Sequence, residues 1–223
     1  MRISTPEFIA LMAMLVATVA VSIDAMLPAL PDIAAQLTPE HPNRVQLILS
    51  TFIVGMSVGT LIAGPLSDSF GRKTVIYWGA GLYILASIIC IFASNLETMI
   101  VARLCQGFGA AAPRVVSQAL IRDLYSGRQM ARISSFVMII FSIVPALAPL
   151  LGAGLISIFA WQSIFVIFIV FSALSTTWTG LRIQEPLAPE QRIPFRRDAF
   201  QAALVEIFSL GMVRISMLTM VFA

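Results

Sequence analysis

Six stretches of this chain, residues 8–30, 46–66, 74–93, 99–120, 133–156 and 163–181, are apolar almost from end to end and are joined by short polar segments. A membrane span takes about 20 apolar residues at 1.5 Å each. In hydrocarbon a backbone must satisfy its own hydrogen bonds, so runs of this length are read as helices. Composition agrees: of 223 residues, 59% are hydrophobic and only 11% charged, with a mean hydropathy of +0.94. An ordinary water-soluble domain carries about twice that share of charge. The expected fold class is therefore an all-α membrane protein with six spans. The first run is not a cleaved leader, because it exceeds twenty residues, holds Asp24, Pro28 and Pro31, and is followed by further spans.

The loops alternate in charge. Arg2, Arg72, Lys73, Arg122, Arg128, Arg132, Arg182, Arg192, Arg196 and Arg197 fall on one side, and Arg44 alone on the other. Basic loops mark the cytoplasm, which puts the amino terminus inside. The net charge of +3 thus reports topology, and no nucleic acid partner is implied. Residues 182–212, with Pro186, Pro189 and Pro194 and an amphipathic patch at 199–208, read as a cytoplasmic linker. Residues 215–223 are apolar again, but nine residues rise only about 14 Å, so the expectation is a chain that stops inside a seventh span.

Polar groups inside the spans are the candidate functional residues, since charge there costs roughly 2.5–3.5 kcal/mol on insertion scales. Asp24 shares a stripe at helical spacing with Ala13, Ala17, Ala20, Pro28 and Pro31, so it is expected to face a cavity or a partner. In the fourth span Gln106, Gly107, Ala110, Arg114 and Gln118 lie within about 60° of Arg103, a polar ribbon down one face. Each has a plainer alternative: Asp24 and Arg103 as structural ion pairs, Arg114 as a side chain snorkelling to headgroups. If spans one and four are neighbours, Asp24 and Arg103 lie at similar depth and are expected to meet. Thr51, Gly55, Gly59 and Ala63, four apart, read as a packing face. Pro145 and Pro149 are expected to bend or soften the fifth span. Cys90 and Cys105 read as small packing residues, Trp161 as an interfacial anchor and His41 as solvated. No phosphate-binding loop, metal-spaced cluster or nucleophile motif is present, which points away from an enzyme and from any cofactor or metal.

The segment 64–73, GPLSDSFGRK, separates spans two and three. It is expected to be a tight turn in which Gly64 and Pro65 end one helix, Gly71 relaxes the backbone, and Arg72 and Lys73 open the next. Gly64, Leu66, Asp68, Gly71, Arg72 and Lys73 match the signature loop of the major facilitator superfamily, which the chain resembles along nearly its whole length. Arg103, Gln106 and Gly107 resemble that family's fourth-span motif. Ile121–Arg122–Asp123, SIDAMLPALPDIA at 22–34 and the double-proline VPALAPLLGAG at 144–154 resemble the Bcr/CflA drug-efflux branch. Ala146 and Ala148 depart from the wider antiporter pattern, where more glycine is expected.

The resemblance implies a six-helix amino-terminal domain (1–181), a linker (182–212) and the beginning of a truncated seventh span (213–223). It also implies a missing carboxyl-terminal half to complete the cavity, so that this half alone would not transport. The implied function is proton-coupled efflux of drugs or small organic molecules across a bacterial inner membrane. The proton and substrate pathway would hold Asp24, Arg103, Gln106 and Arg114, and Gly64, Asp68, Gly71, Arg72 and Lys73 would form a cytoplasmic gate. A metabolite symporter or uniporter of the same family, or a truncated non-transporting membrane protein, are the alternatives.

Overall fold

The structure is a computed structural model that describes residues 3–193. Seven α-helices follow in order: α1 (Thr5–Asp24), α2 (Leu30–Leu37), α3 (Leu47–Phe70), α4 (Arg72–Ile91), α5 (Leu96–Leu124), α6 (Gly127–Ile156) and α7 (Ser163–Arg182). Five helical stretches are long and apolar enough to cross a membrane, with α1 and α2 counted together as Thr5–Leu37. The sixth crossing, α5, has 29 residues but carries the polar ribbon. It sits at the centre, packed along its length on α3 and α4 and also against α1 and α6. Helix α5 therefore hides its polar groups among neighbours, whereas α3 and α6 expose most of their apolar surface.

Small residues set how closely α5 is approached. Gly55, Gly59 and Ala63 face it from α3, where a Cβ on Gly59 would lie 2.6 Å from the Phe108 carbonyl oxygen. On the facing side, a Cβ on Gly107 would strike the Phe52 carbonyl. From α4, Gly79 meets Gly109 in the same way. The expected packing face of the second span is thus the α3–α5 seam.

Three expectations need correction. The first span is not one helix: α1 stops at Asp24, a 3-10 turn covers Leu27–Ala29, and α2 restarts at Leu30. Pro28 and Pro31 each occupy the first turn of a new element, where their missing N–H is not needed. Gly64 and Pro65 do not end the second span, because α3 continues to Phe70 and the turn is the single residue Gly71 at φ +96°. That conformation favours glycine. Helix α6 is assigned continuously through Pro145 and Pro149, and its Gly152 seats against the Ala25 backbone. Trp161 is not an anchor at the lipid interface; it is 3% exposed and its Nε1 donates to Gln36 Oε1 at 2.6 Å, fastening α2 to the start of α7.

Cys90 is buried in the core cluster that holds Phe52, Tyr83 and Trp161, and Cys105 is half-buried on α5. His41 is exposed, as expected. The amphipathic patch at 199–208 and the apolar end at 215–223 lie outside the described residues.

Candidate functional site

Arg103, about two turns into α5, is completely buried. Its Nε donates to the Ile48 carbonyl at 3.3 Å, Nη1 to Gln106 Oε1 at 2.6 Å and Nη2 to the Ser22 carbonyl at 3.0 Å. The guanidinium carbon stands 4.4 Å from the centroid of the Phe52 ring. Carbonyl dipoles and an aromatic face thus solvate the cation in place of water, the latter by a cation–π contact. Among the described residues no carboxylate pairs with it.

Gln106, also completely buried, is held in turn by Ser87 of α4, whose Oγ accepts from Nε2 at 2.6 Å. Ser87 donates to the Tyr83 carbonyl at 2.7 Å, and the Tyr83 hydroxyl meets Ser22 Oγ at 2.6 Å. Four helices, α1, α3, α4 and α5, therefore converge on one buried polar network around a single positive charge. Buried networks of this kind are rigid when satisfied and costly when a member is lost. Ser22, Tyr83 and Ser87 were not singled out from sequence. Their hydroxyls interrupt apolar spans, but isolated Ser and Tyr in a membrane helix more often bond their own backbone, as Ser57 and Thr60 do here.

Asp24 does not meet Arg103. It is half-buried at the last position of α1, and its carboxylate has no hydrogen-bond partner among the described residues. Arg103 nevertheless grips α1 at the Ser22 carbonyl, two residues before the acid. Arg103 is instead satisfied by the Ile48 and Ser22 carbonyls, Gln106 and the Phe52 ring. Arg114 is exposed ten residues before the end of α5, about 15 Å along the axis. Its Nη1 lies 3.5 Å from Met56 Sδ. The ribbon thus has a closed half near the start of α5, at Arg103 and Gln106, and an open half toward its end, at Arg114.

A second cluster surrounds Gly71. Arg72, 8% exposed, donates through Nε to Asp123 Oδ2 at 2.7 Å and through Nη1 to Ser67 Oγ at 2.6 Å and Asp68 Oδ1 at 2.5 Å. The turn between α3 and α4 is thereby tied to the carboxyl end of α5. Lys73 Nζ reaches the Gly180 carbonyl of α7 at 2.9 Å. Glu185 then caps α4: its two oxygens accept from the backbone N–H of Arg72 and of Lys73, each at 2.9 Å. An anion at a helix amino terminus is favoured by the dipole and the unpaired N–H groups. The segment after α7 continues over the turn, with Ile193 N–H donating to the Asp68 carbonyl at 3.1 Å and Ser69 Oγ donating to the Ile193 carbonyl at 2.6 Å. Glu185 was invisible in sequence because a lone acid in a proline-rich segment carries no periodicity. Gly64, by contrast, touches nothing that a Cβ would meet. A third tie, from Glu7 of α1 to Arg182 at 2.5 and 2.7 Å and Trp178 at 3.2 Å of α7, closes the same end of the bundle.

This is a polytopic helical bundle built for a bilayer, with a buried cation at its centre and an ion-paired turn at one end. The chain belongs to the Major Facilitator Superfamily, whose family model matches residues 10–223. It is similar to the MFS-type transporter YdgK of Bacillus subtilis, 36% identical over 186 residues that make up 82% of this chain and 46% of the relative. It is also similar to the bicyclomycin resistance protein homolog of Haemophilus influenzae, at 34% over 78% of this chain and 44% of the relative. The multidrug resistance protein MdtL of Escherichia coli is 38% identical over 64% of this chain and 36% of its own length. The chain therefore spans about half the length of the curated relatives it matches. Among solved structures, the human organic anion transporter MFSD10 superposes with a TM-score of 0.69 at 16% identity, over 87% of this chain and 51% of that one, which shows a shared fold.

Proposed function

We propose that the chain is the amino-terminal half of a secondary transporter that exports drugs or small organic molecules in exchange for protons across a bacterial inner membrane. Relatives named for bicyclomycin and multidrug resistance support the substrate class. The observation that carries the reading is Arg103, a fully buried cation without a carboxylate partner among the described residues, gripping α1 two residues before Asp24. A conformational change that brings Asp24 under the influence of this charge favours the ionised acid, and one that separates them favours the protonated acid. Alternating access then becomes a cycle of proton release and uptake. The open inner half of the ribbon, at Arg114 and Gln118, contributes one wall of the substrate cavity, and a carboxyl-terminal six-helix half supplies the other.

In this reading the amino terminus is cytoplasmic, residues 1–181 form the transport domain, 182–212 link it to the second half, and 213–223 begin the seventh span. The Gly71 turn is the cytoplasmic gate. Asp68 has a side chain 44% exposed and one oxygen committed to Arg72, which leaves it able to dock on a helix end of the other half.

The test uses a chain carrying both halves in acid-loaded everted vesicles, with a fluorescent cationic dye added outside. Arg103→Gln should abolish proton-driven dye uptake while the protein still inserts and is recovered as a monodisperse species. Uptake at the wild-type rate by a well-folded Arg103→Gln protein sinks the proposal.

A further inference from the structure

The segment that follows α7 caps both helices that meet at the Gly71 turn. A helix leaves its last carbonyls and its first N–H groups without partners inside the helix. At the end of α3 the Gly71 N–H serves the Ser67 carbonyl, and the next carbonyl, that of Asp68, is served by the Ile193 N–H. At the start of α4 the N–H groups of Arg72 and Lys73 are served by the two oxygens of Glu185. The pairing at Ile193 is two-sided, because its own carbonyl accepts from Ser69 Oγ. Residues 185–193 therefore fix the backbone on both sides of the turn.

The stretch is built to keep that shape. Ile183 just before it is buried, Leu187 N–H folds back on Glu185 Oε1 at 3.3 Å, and a 3-10 turn at Pro189–Gln191 leads into Arg192 and Ile193. Pro186 and Pro189 restrict its backbone further. The fit over the turn is close: a Cβ on Gly71 would lie 3.1 Å from Arg192 Nη2 and 3.1 Å from Glu185 Oε2. Gly71 thus lacks a side chain for two reasons, its positive φ and the segment lying across it.

The contacts converge on Asp68. Its carboxylate is held by Arg72, whose N–H is held by Glu185, and its carbonyl is held by Ile193. Loosening either end of the segment frees the backbone that aims the carboxylate.

We propose that residues 185–193 are a positioning clasp for the gate, with Ser69 as its catch on α3: the clasp holds Asp68 where it can dock on the other half, and its loss favours the state open to the cytoplasm. The inference rests on the reading of the Gly71 turn as the cytoplasmic gate, and it needs neither the proton nor a particular substrate.

The experiment is thiol labelling of a two-half chain in which Cys90 and Cys105 are replaced and one reporter cysteine stands at the cytoplasmic end of the cavity or, in a second protein, at its outer end. Ser69→Ala removes the hydroxyl that Ile193 accepts from. Ile193→Pro removes the N–H, and the extended Arg192 before it, at φ −73° and ψ 132°, accommodates a following proline. Each is expected to raise cytoplasmic labelling and to lower outer labelling by up to about fivefold, the worth of one hydrogen bond in a two-state equilibrium. Ser69→Thr, which keeps the hydroxyl, should label as wild type at both ends. Asp68→Asn in the same series separates gate from clasp. If it shifts labelling while Ser69→Ala and Ile193→Pro do not, the gate stands and the clasp is overturned; if none of the three shifts it, both fall. A shift in the clasp variants without one in Asp68→Asn overturns the proposal as well, because the segment then acts elsewhere. So does labelling that rises at both ends, which marks a loosened bundle and not a change of state.

Discussion

Replacing Gly109 by alanine tests whether close helix approach holds the buried network together. A Cβ there would lie 2.6 Å from the Gly79 carbonyl oxygen and 2.7 Å from the Tyr83 nitrogen, both backbone atoms that no rotamer change can move. Ordinary contact begins at 3.4 Å. Going from 2.6 to 3.4 Å requires α4 to retreat from α5 by about 0.8 Å along that contact. Ser87 rides on α4, so its 2.6 Å bond from Gln106 would stretch toward 3.4 Å, and the Tyr83–Ser22 bond would be strained in the same direction. Overpacking of this kind costs about 1–3 kcal/mol, and each weakened hydrogen bond adds roughly 0.5–1.5 kcal/mol. Gly81→Ala is the matched control, because nothing lies within 4 Å of its Cβ and alanine favours the helix by up to about 1 kcal/mol. Unfolding in mixed micelles of increasing sodium dodecyl sulfate, followed by tryptophan fluorescence, reads both. Gly109→Ala should unfold at clearly lower denaturant than wild type and Gly81→Ala at the same or higher. Equal stability of the two variants would show that the α4–α5 contact is looser than described and refute the reasoning.

Other consequences can be measured separately. Glu185→Gln removes the anion that caps α4, an effect of about 1–2 kcal/mol in a partly buried setting; amide exchange at Arg72 and Lys73 should accelerate about 5- to 30-fold, and unchanged protection would count against the cap. Asp68→Asn weakens the tie to Arg72 and the proposed gate, so cysteine labelling of the cavity from the cytoplasmic side should rise several-fold in a two-half protein; labelling and transport both at wild-type level would remove the gate from the account. Arg44→Gln breaks an ion pair whose partners are 48% and 66% exposed. Its effect on micelle unfolding should stay below about 1 kcal/mol, and a larger loss would mean that the outer loop is held by that pair.

Much of the fold was legible because hydrophobicity in a bilayer is a strong signal with one available solution. The spans, the α3–α5 packing face and the placement of Arg103 and Gln106 on one side of α5 all follow from helical period and residue size. What failed is equally physical. Pro28 and Pro31 were placed on a continuous stripe, but a proline starts a helical segment more comfortably than it continues one, so α1 ends at Asp24 and α2 restarts at Leu30; the expected Asp24–Arg103 contact is absent because carbonyls and Gln106 take the Arg103 donors. Pro65 misled in the opposite sense: α3 tolerates it, and only the positive φ of Gly71 ends the helix. The partners Ser22, Tyr83, Ser87 and Glu185 depend on which helices lie side by side, and one sequence read by period alone does not carry that information.

The account turns on proton exchange at Asp24. The most direct measurement is the pH of the lumen of everted proteoliposomes holding a two-half transporter, energised by an imposed acid interior and monitored with a pH-quenched acridine dye. Adding substrate should release the quench in wild type, because each molecule taken up expels protons, and Asp24→Asn should show no substrate-dependent release while retaining substrate equilibration down its own gradient. Substrate-dependent proton release at the wild-type rate in Asp24→Asn would contradict the account.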